Sequence, residues 1–375
     1  MESEELLYYY ALSLSSGIGA GRLVAIRTYF GDSRKAFEAS ARKLAAVPGV
    51  GKATAEEWFS SRDENLERAT RDLAALPQTA GIMTFFDADY PDSLRSIFNP
   101  PALLWLNGER ALLQAERMVA VIGSRRITDY GKRVTKDICT DLAGAGVTVV
   151  SGLALGVDSA GHRAVFDAGG STIAVLGSGI DVIYPPSNKS FAAELVRSGR
   201  GLVISELPLG TKPDAKNFPW RNRIVSGLSA STVVIESDEK GGSMITASIA
   251  LDQDRDVFAL PGDVDRPMSR GPNLLLAEGR AKPFRNAQDI LKSLGWISDG
   301  SNERSKAEIK KHAEHLSGDQ KKLYDILTTA GEPLYIDTII ERSGVDVQTV
   351  LVRLLELEFK DLIRQLPGKH FTAIF

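Results

Sequence analysis

The middle of the chain alternates between short apolar runs and longer segments in which apolar residues recur with a helical period. The runs are rich in β-branched residues and end at glycine, serine or proline, which is typical of buried parallel strands. They occupy residues 118–122, 147–150, 172–176, 202–205, 232–236 and 256–260. Strands that alternate with helices predict an α/β protein with a doubly wound, extended Rossmann-like parallel sheet.

The regions on either side of this alternation have different patterns. Residues 80–110 hold two apolar runs broken by prolines, and we expect a first strand and a hairpin-like extension of the main sheet, because proline confines strands to edges or starts. Residues 297–318 are polar and predict a linker. The predicted domains are a helical one at 1–78, the sheet domain at 79–296 and a small C-terminal domain at 319–375.

The N-terminal region reads as short helices joined by two glycine-bearing hairpins, at residues 15–21 and 47–52. The second hairpin, PGVGK, resembles a helix-hairpin-helix motif, and paired hairpins of this kind resemble SAM-like domains. Glycine lets such a turn expose backbone N–H groups to a phosphate, which makes Gly49, Gly51 and Lys52 candidates for a secondary DNA contact. A helical domain that uses glycine only to pack stays an alternative.

Ligands of doubly wound folds bind at the carboxyl ends of the strands. Small and cationic residues follow several predicted strands at this edge, with aromatic rings at Phe218 and Trp220. Aromatic faces beside a basic groove are what single-stranded nucleic acid requires.

The segment FPWRNRIVSGLS places Arg221 and Arg223 on either side of Asn222, at the predicted start of a helix facing the crevice. Two guanidinium groups in this position suit phosphate oxygens, and an intramolecular salt-bridge cluster is the alternative. The carboxylates of Glu206, Glu236 and Asp238 could hold magnesium, but their basic surroundings favour pairing with Arg221 or Arg223.

Fingerprints of nucleotide enzymes are missing. The turn GSRRITDYG lacks the G-x-G-x-x-G spacing of a dinucleotide site, and the chain contains no G-x-x-x-x-G-K-[ST] loop. Asp158 and His162 lie four residues apart, as an acid–base pair on one helix face would, but a helix-start carboxylate with a packed histidine is the favoured interpretation.

The composition of the chain limits the class of protein and the cellular compartment that are expected. The 375 residues are 43% hydrophobic and 25% charged, with a net charge of −3, and no apolar run approaches the ~18 residues of a membrane span. The acidic start of the chain does not have the pattern of a signal peptide, and the single cysteine, Cys139, excludes a disulfide framework. We expect a cytoplasmic protein without metal or cofactor.

Eight motifs in order resemble one family: GSR with TDYG, SGLALGVD, VLGSGID-x-x-YP, SELP, FPWRNRIVSGLS, GGSMITA, LPG and G-P-N-x-L. Together they are similar to the DNA-processing protein A (DprA/Smf) family from residue 81 to about residue 279. The C-terminal helices, followed by two short strands, resemble a winged helix. Its third helix is rich in acidic residues, so the helix fits a contact with another protein at least as well as a contact with DNA.

The resemblance implies a non-enzymatic protein that binds single-stranded DNA, forms a homodimer through the Rossmann-like domain and loads the RecA recombinase during natural transformation. The DNA-binding residues that it implies are Ser124, Arg125, Arg126, Lys189, Phe218, Arg221, Asn222, Arg223, Lys240, Gly241 and Ser243. A rival class is the nucleoside monophosphate phosphoribohydrolases, whose sheet is related. Their P-G-G-x-G-T loop and downstream glutamate are not matched by residues 240–246.

Overall fold

A computed structural model describes residues 3–297, 316, 318–330, 333–360, 362–366 and 370–373. The predicted linker at 297–318 therefore lies almost wholly outside the described residues. Residues 1–290 form one compact unit and residues 291–375 a second one. The further division predicted at residue 78 stays a prediction.

A nine-stranded sheet organises the first unit, with strands in the order β1-β2-β6-β5-β4-β3-β7-β8-β9. The strands are β1 (Ala80–Thr84), β2 (Leu103–Gly108), β3 (Met118–Ile122), β4 (Thr148–Ser151), β5 (Thr172–Leu176), β6 (Gly201–Ser205), β7 (Ser231–Val234), β8 (Asp256–Ala259) and β9 (Lys282–Pro283). Strands β3 to β9 pair in parallel, whereas β1 and β2 add an antiparallel extension beside β6. The predicted doubly wound sheet and its hairpin-like extension are confirmed.

The strand order reverses between β3 and β7. Val119 of β3 lies opposite Val149 of β4 on one side and opposite Ser231 of β7 on the other. The chain builds outwards from β3 in both directions, which opens a crevice at the carboxyl ends of β3 and β7.

Helices cover both faces of the sheet. They are α6 (Asp92–Arg95), α7 (Asp129–Gly144), α8 (Val157–Asp167), α9 (Lys189–Arg197), α10 (Asn217–Leu228), α11 (Gly242–Asp252), α12 (Arg270–Ala277) and α13 (Ala287–Ser293). Side chains alternate between the faces along each strand, so Leu104 packs into one core and its neighbour Trp105 into the other.

The N-terminal helices pack onto the second of these cores. They are α1 (Ser3–Ser13), α2 (Ala20–Phe30), α3 (Ser33–Phe37), α4 (Ala41–Leu44) and α5 (Lys52–Ala74). Tyr10 of α1 meets Trp105 of β2 edge to face, with ring centroids 4.9 Å apart. The helical region and the sheet therefore share one hydrophobic core.

The second unit contains α14 (Gly318–Ala330), β10 (Leu334–Tyr335), α15 (Ile336–Ser343), α16 (Val347–Phe359), β11 (Ile363–Leu366) and β12 (His370–Ala373). Its strands form a sheet in the order β10-β12-β11. Val347, Leu351 and Leu355 recur every four residues on α16 and are about half exposed, beside a buried stripe that packs inwards. Arg353 is paired with Glu356 at 2.8 Å. The third helix of the winged helix thus presents an apolar surface.

Candidate nucleic-acid interface

A cavity of about 280 Å³ opens at the switch point of the sheet. Its walls come from the turn after β3, the loops after β4 and β7, and the N-terminal parts of α10 and α11. Eight of the predicted DNA-binding residues line it: Ser124, Arg125, Arg126, Phe218, Arg221, Asn222, Gly241 and Ser243. The fold thus brings together residues that lie more than 100 positions apart in the chain.

The turn after β3 is held in place by Glu236. The backbone carbonyl of Glu236 accepts a hydrogen bond from the Ser124 N–H (2.6 Å), and its carboxylate accepts from the N–H (2.9 Å) and hydroxyl (2.5 Å) of Thr128. Gly131 leaves room for this carboxylate, because a Cβ there would lie 2.4 Å from it. The expectation that Glu236 pairs with Arg221 or Arg223 was wrong. Its partner is the start of α7.

Arg125 and Arg126, at the tip of this braced turn, are exposed. The Arg125 guanidinium lies 5.1 Å from the centre of the Phe218 ring, a cation–π contact across the mouth of the cavity. Among the described residues, neither guanidinium forms an ion pair with a carboxylate, although Asp238 also lines the cavity. The Asp238 carboxylate accepts a hydrogen bond from the N–H of Glu239 (2.8 Å).

Arg221 forms the inner wall of the cavity and is only 7% exposed. Its Nη1 donates to the carbonyls of Gly152 (2.8 Å) and Val175. Gly152 must be glycine here, since a Cβ would lie 2.3 Å from Nη2. Within the described part of the chain, Nη2 makes no hydrogen bond, so this donor remains available to a ligand.

The charge of Arg221 is balanced by Asp158. Burial lowers the pKa of Arg221 to about 10. The positive charge of Arg125 lowers this pKa further, whereas the negative charge of Asp158 raises it. Burial also raises the pKa of Asp158, while Arg221 and the N–H groups of Gly152 and Ala154 act to lower it. Arg221 remains a cation at neutral pH. Sequence reasoning treated Asp158 as a helix-start acid and missed this role.

Arg223 lies elsewhere, contrary to the expectation that it faces the crevice. Its guanidinium pairs with both carboxylate oxygens of Glu206 (2.6 and 2.9 Å) and donates to the carbonyl of Asn99 (3.1 Å). Since α10 begins at Asn217, Arg221 and Arg223 both lie in its second turn. Residues two apart on a helix point to opposite sides, so only one of these arginines faces the cavity. Arg223 therefore follows the alternative prediction of an intramolecular salt bridge, and its partner Glu206 is one of the carboxylates expected to pair with an arginine of this segment.

Lys189 and Lys240 are exposed and do not line the cavity. Lys240 precedes Gly241, the N-cap of α11, which supplies no side-chain hydrogen bond to the helix start. In the part of the chain that the structure describes, the N–H groups of Gly242 and Ser243 have no side-chain acceptor, and they lie beside the cavity. The Ser243 hydroxyl is committed to Ser237 (2.8 Å).

The second glycine hairpin is outside this interface. Gly49 and Gly51 face open space, and Lys52 is paired with Glu56 at 3.6 Å. None of these residues lines the cavity at the switch point.

Asp158 and His162 do not act as a pair. The Thr172 hydroxyl donates to the Val149 carbonyl (2.7 Å), so it accepts from His162 Nδ1 (2.6 Å). Burial lowers the pKa of His162 to about 3, with repulsion from Arg221 adding to the effect. His162 is therefore a neutral core residue.

Across the described residues, histidine, cysteine, aspartate and glutamate side chains do not gather in groups of three that could hold a metal ion. Each helix in those same residues is too short or too polar to cross a membrane.

A doubly wound sheet with cations and free N–H groups at its switch point defines an α/β protein suited to an anionic ligand. A family model for the DNA recombination-mediator protein A matches residues 81–295, and one for the DprA winged helix domain matches residues 308–369. The chain belongs to this DprA/Smf family.

Three known proteins illustrate the similarity. Protein Smf of Escherichia coli is 37% identical over 289 residues, which cover 75% of this chain and 74% of that protein. The structure of DNA processing protein A from Streptococcus pneumoniae aligns with a TM-score of 0.64 at 32% identity, covering 76% of this chain and 97% of that one. That of Helicobacter pylori aligns with a TM-score of 0.52 at 32% identity, covering 57% and 95%.

Proposed function

We propose that the protein binds single-stranded DNA in the cavity at the switch point and has no catalytic activity. One observation supports this above all: Arg125, Arg126 and the free Nη2 of Arg221 converge with the uncapped start of α11 on one concave site. Such donors suit phosphate oxygens. The Helicobacter pylori relative has a described single-stranded DNA binding mode.

The preference for single strands rests on Phe218. Its ring lines the mouth of the cavity, beside the Arg125 guanidinium. Unpaired bases can stack on such a ring, whereas the bases of a duplex are already stacked on each other. We expect the phosphates to enter the cavity while a base contacts Phe218.

Fluorescence anisotropy with labelled single-stranded and duplex oligonucleotides tests the proposal. Arg125→Ala should weaken binding to the single strand about 10-fold or more, since a hydrogen bond to a charged group contributes about 1.5–3 kcal/mol. Arg110→Ala is the matched control, because Arg110 is equally a surface arginine but pairs with Asp89 at 2.9 Å away from the cavity. Equal affinity for the duplex, or equal effects of the two variants, would contradict the proposal.

The wider role proposed is loading of RecA by a homodimer. The supporting argument is size: one cavity spans few nucleotides, and two cavities on one strand would raise the effective concentration of the second contact. Two apolar triplets, residues 249–251 on α11 and 274–276 on α12, are the candidates for the dimer contact. Ala250 and Leu275 are buried in the core, whereas Leu274 is 37% exposed. The contact proposed therefore includes Leu274.

Light scattering and RecA assembly test this wider role. The protein should be dimeric at micromolar concentration, and it should speed RecA filament formation on DNA coated by single-strand-binding protein. Leu274→Glu should give a monomer that still binds DNA weakly. A wild-type protein that stays monomeric and does not speed assembly would leave only the DNA-binding role.

A further inference from the structure

A second groove, of about 540 Å³, lies where the first glycine hairpin meets the sheet. Gly19, Gly21 and Arg22 of the hairpin line one side, and Asn99, Glu206 and Trp220 line the other. A Cβ on Gly19 would meet nothing within 4 Å, so the hairpin backbone is open to a ligand. Among these residues, only Trp220 is expected from the sequence to face single-stranded nucleic acid.

Trp220 is held as a platform in this groove. Its ring lies over the Arg223 guanidinium at 4.4 Å and still keeps 47% of its surface exposed. Arg223 in turn is fixed by Glu206. Trp58 and Trp105, by contrast, are buried. A braced, half-exposed indole is suited to stacking rather than to the core.

The groove and the first cavity adjoin across the first turn of α10. Phe218 and Pro219 line the first cavity and the next residue, Trp220, lines the groove. Arg22 supplies an exposed cation, and the charge of Glu206 is offset by its ion pair with Arg223. A strand that left the cavity over Phe218 and crossed this turn would meet a second ring and a second cation.

We propose that this groove is a second single-stranded DNA subsite, in which a base stacks on Trp220 and a phosphate lies near Arg22. The proposal rests on the proposed function, because the groove extends the path of the same strand. Single-strand modules commonly combine such aromatic platforms with cations along a groove.

Tryptophan emission reports on the stacking directly. The probes are two thymidine oligonucleotides, one of about 6 and one of about 20 nucleotides. The long strand should quench the emission of the wild-type protein. Trp220→Phe should remove most of that quenching while the long strand still binds, because phenylalanine also stacks. Trp296→Phe is the matched control and should leave the quenching in place.

Affinity gives the second readout. The wild-type protein should bind the long strand more tightly than the short one, and Trp220→Ala should reduce this gain on the order of 10-fold. Quenching that persists in Trp220→Phe, or an unchanged length gain in Trp220→Ala, would overturn the second subsite alone. A wild-type protein that binds neither strand would refute the proposed function, and the subsite with it.

Discussion

Replacing Arg221 by methionine separates the proposed contribution of this residue to DNA binding from its contribution to stability. Methionine keeps much of the volume but removes the charge and the donors to Gly152 and Val175. Two buried carbonyls lose a partner, at about 1–3 kcal/mol each, and Asp158 loses its neighbouring cation. We expect a loss of about 2–6 kcal/mol in the free energy of unfolding and a 10- to 100-fold loss in DNA affinity.

A second substitution at Asp158 tests the reasoning. Asp158→Asn removes the buried charge but keeps an oxygen for the N–H groups of Gly152 and Ala154. Added to Arg221→Met, it should restore part of the stability and none of the DNA affinity. Urea unfolding followed by circular dichroism measures the first quantity, and anisotropy the second. Normal DNA binding by Arg221→Met, or recovery of both quantities in the double variant, would refute the assignment.

Three other predictions concern residues outside the cavity. Arg223→Ala should lower stability by about 3–5 kcal/mol, because it leaves Glu206 unpaired, while affinity for a short oligonucleotide falls much less than in Arg221→Met. Burial lowers the pKa of His162 from 6.5 to about 3, so on acidification the unfolded chain binds the proton before the folded protein does. The free energy of unfolding should therefore decrease as the pH is lowered, by about 3 kcal/mol between pH 7 and pH 4. The raised pKa of Asp158 has the opposite effect on the pH dependence of stability. The measurement therefore compares the wild-type protein with His162→Asn, in which the decrease caused by His162 should be absent. Deleting residues 300–375 should leave DNA affinity largely intact, because the outward surface of α16 is apolar; a large loss would place the winged helix in the DNA site.

The strands could be predicted because their signal is local. Each buried run of β-branched residues ends at a small residue, and the six predicted strands match β3 to β8 within two residues at each end. The location of the candidate site could be predicted from the same signal, because the carboxyl ends of parallel strands meet at one edge.

The directions of the side chains could not be predicted in the same way. The sequence shows two arginines on α10, of which Arg221 lines the cavity and Arg223 pairs with Glu206. Which arginine takes which place depends on where the helix begins and on which of its faces meets the sheet. The partners lie far away: Glu236 braces Thr128 across 108 positions, and Arg223 reaches Asn99 across 124. Local composition carries no information on such pairings.

The salt dependence of binding tests the central claim most directly. For single strands the slope of log affinity against log salt is about −0.7 for each phosphate neutralised. The double variant Arg125→Ala with Arg126→Ala should therefore have a slope less steep by about 1.4 than that of the wild-type protein, measured by anisotropy on one oligonucleotide. An unchanged slope would show that the strand binds away from the switch-point cavity.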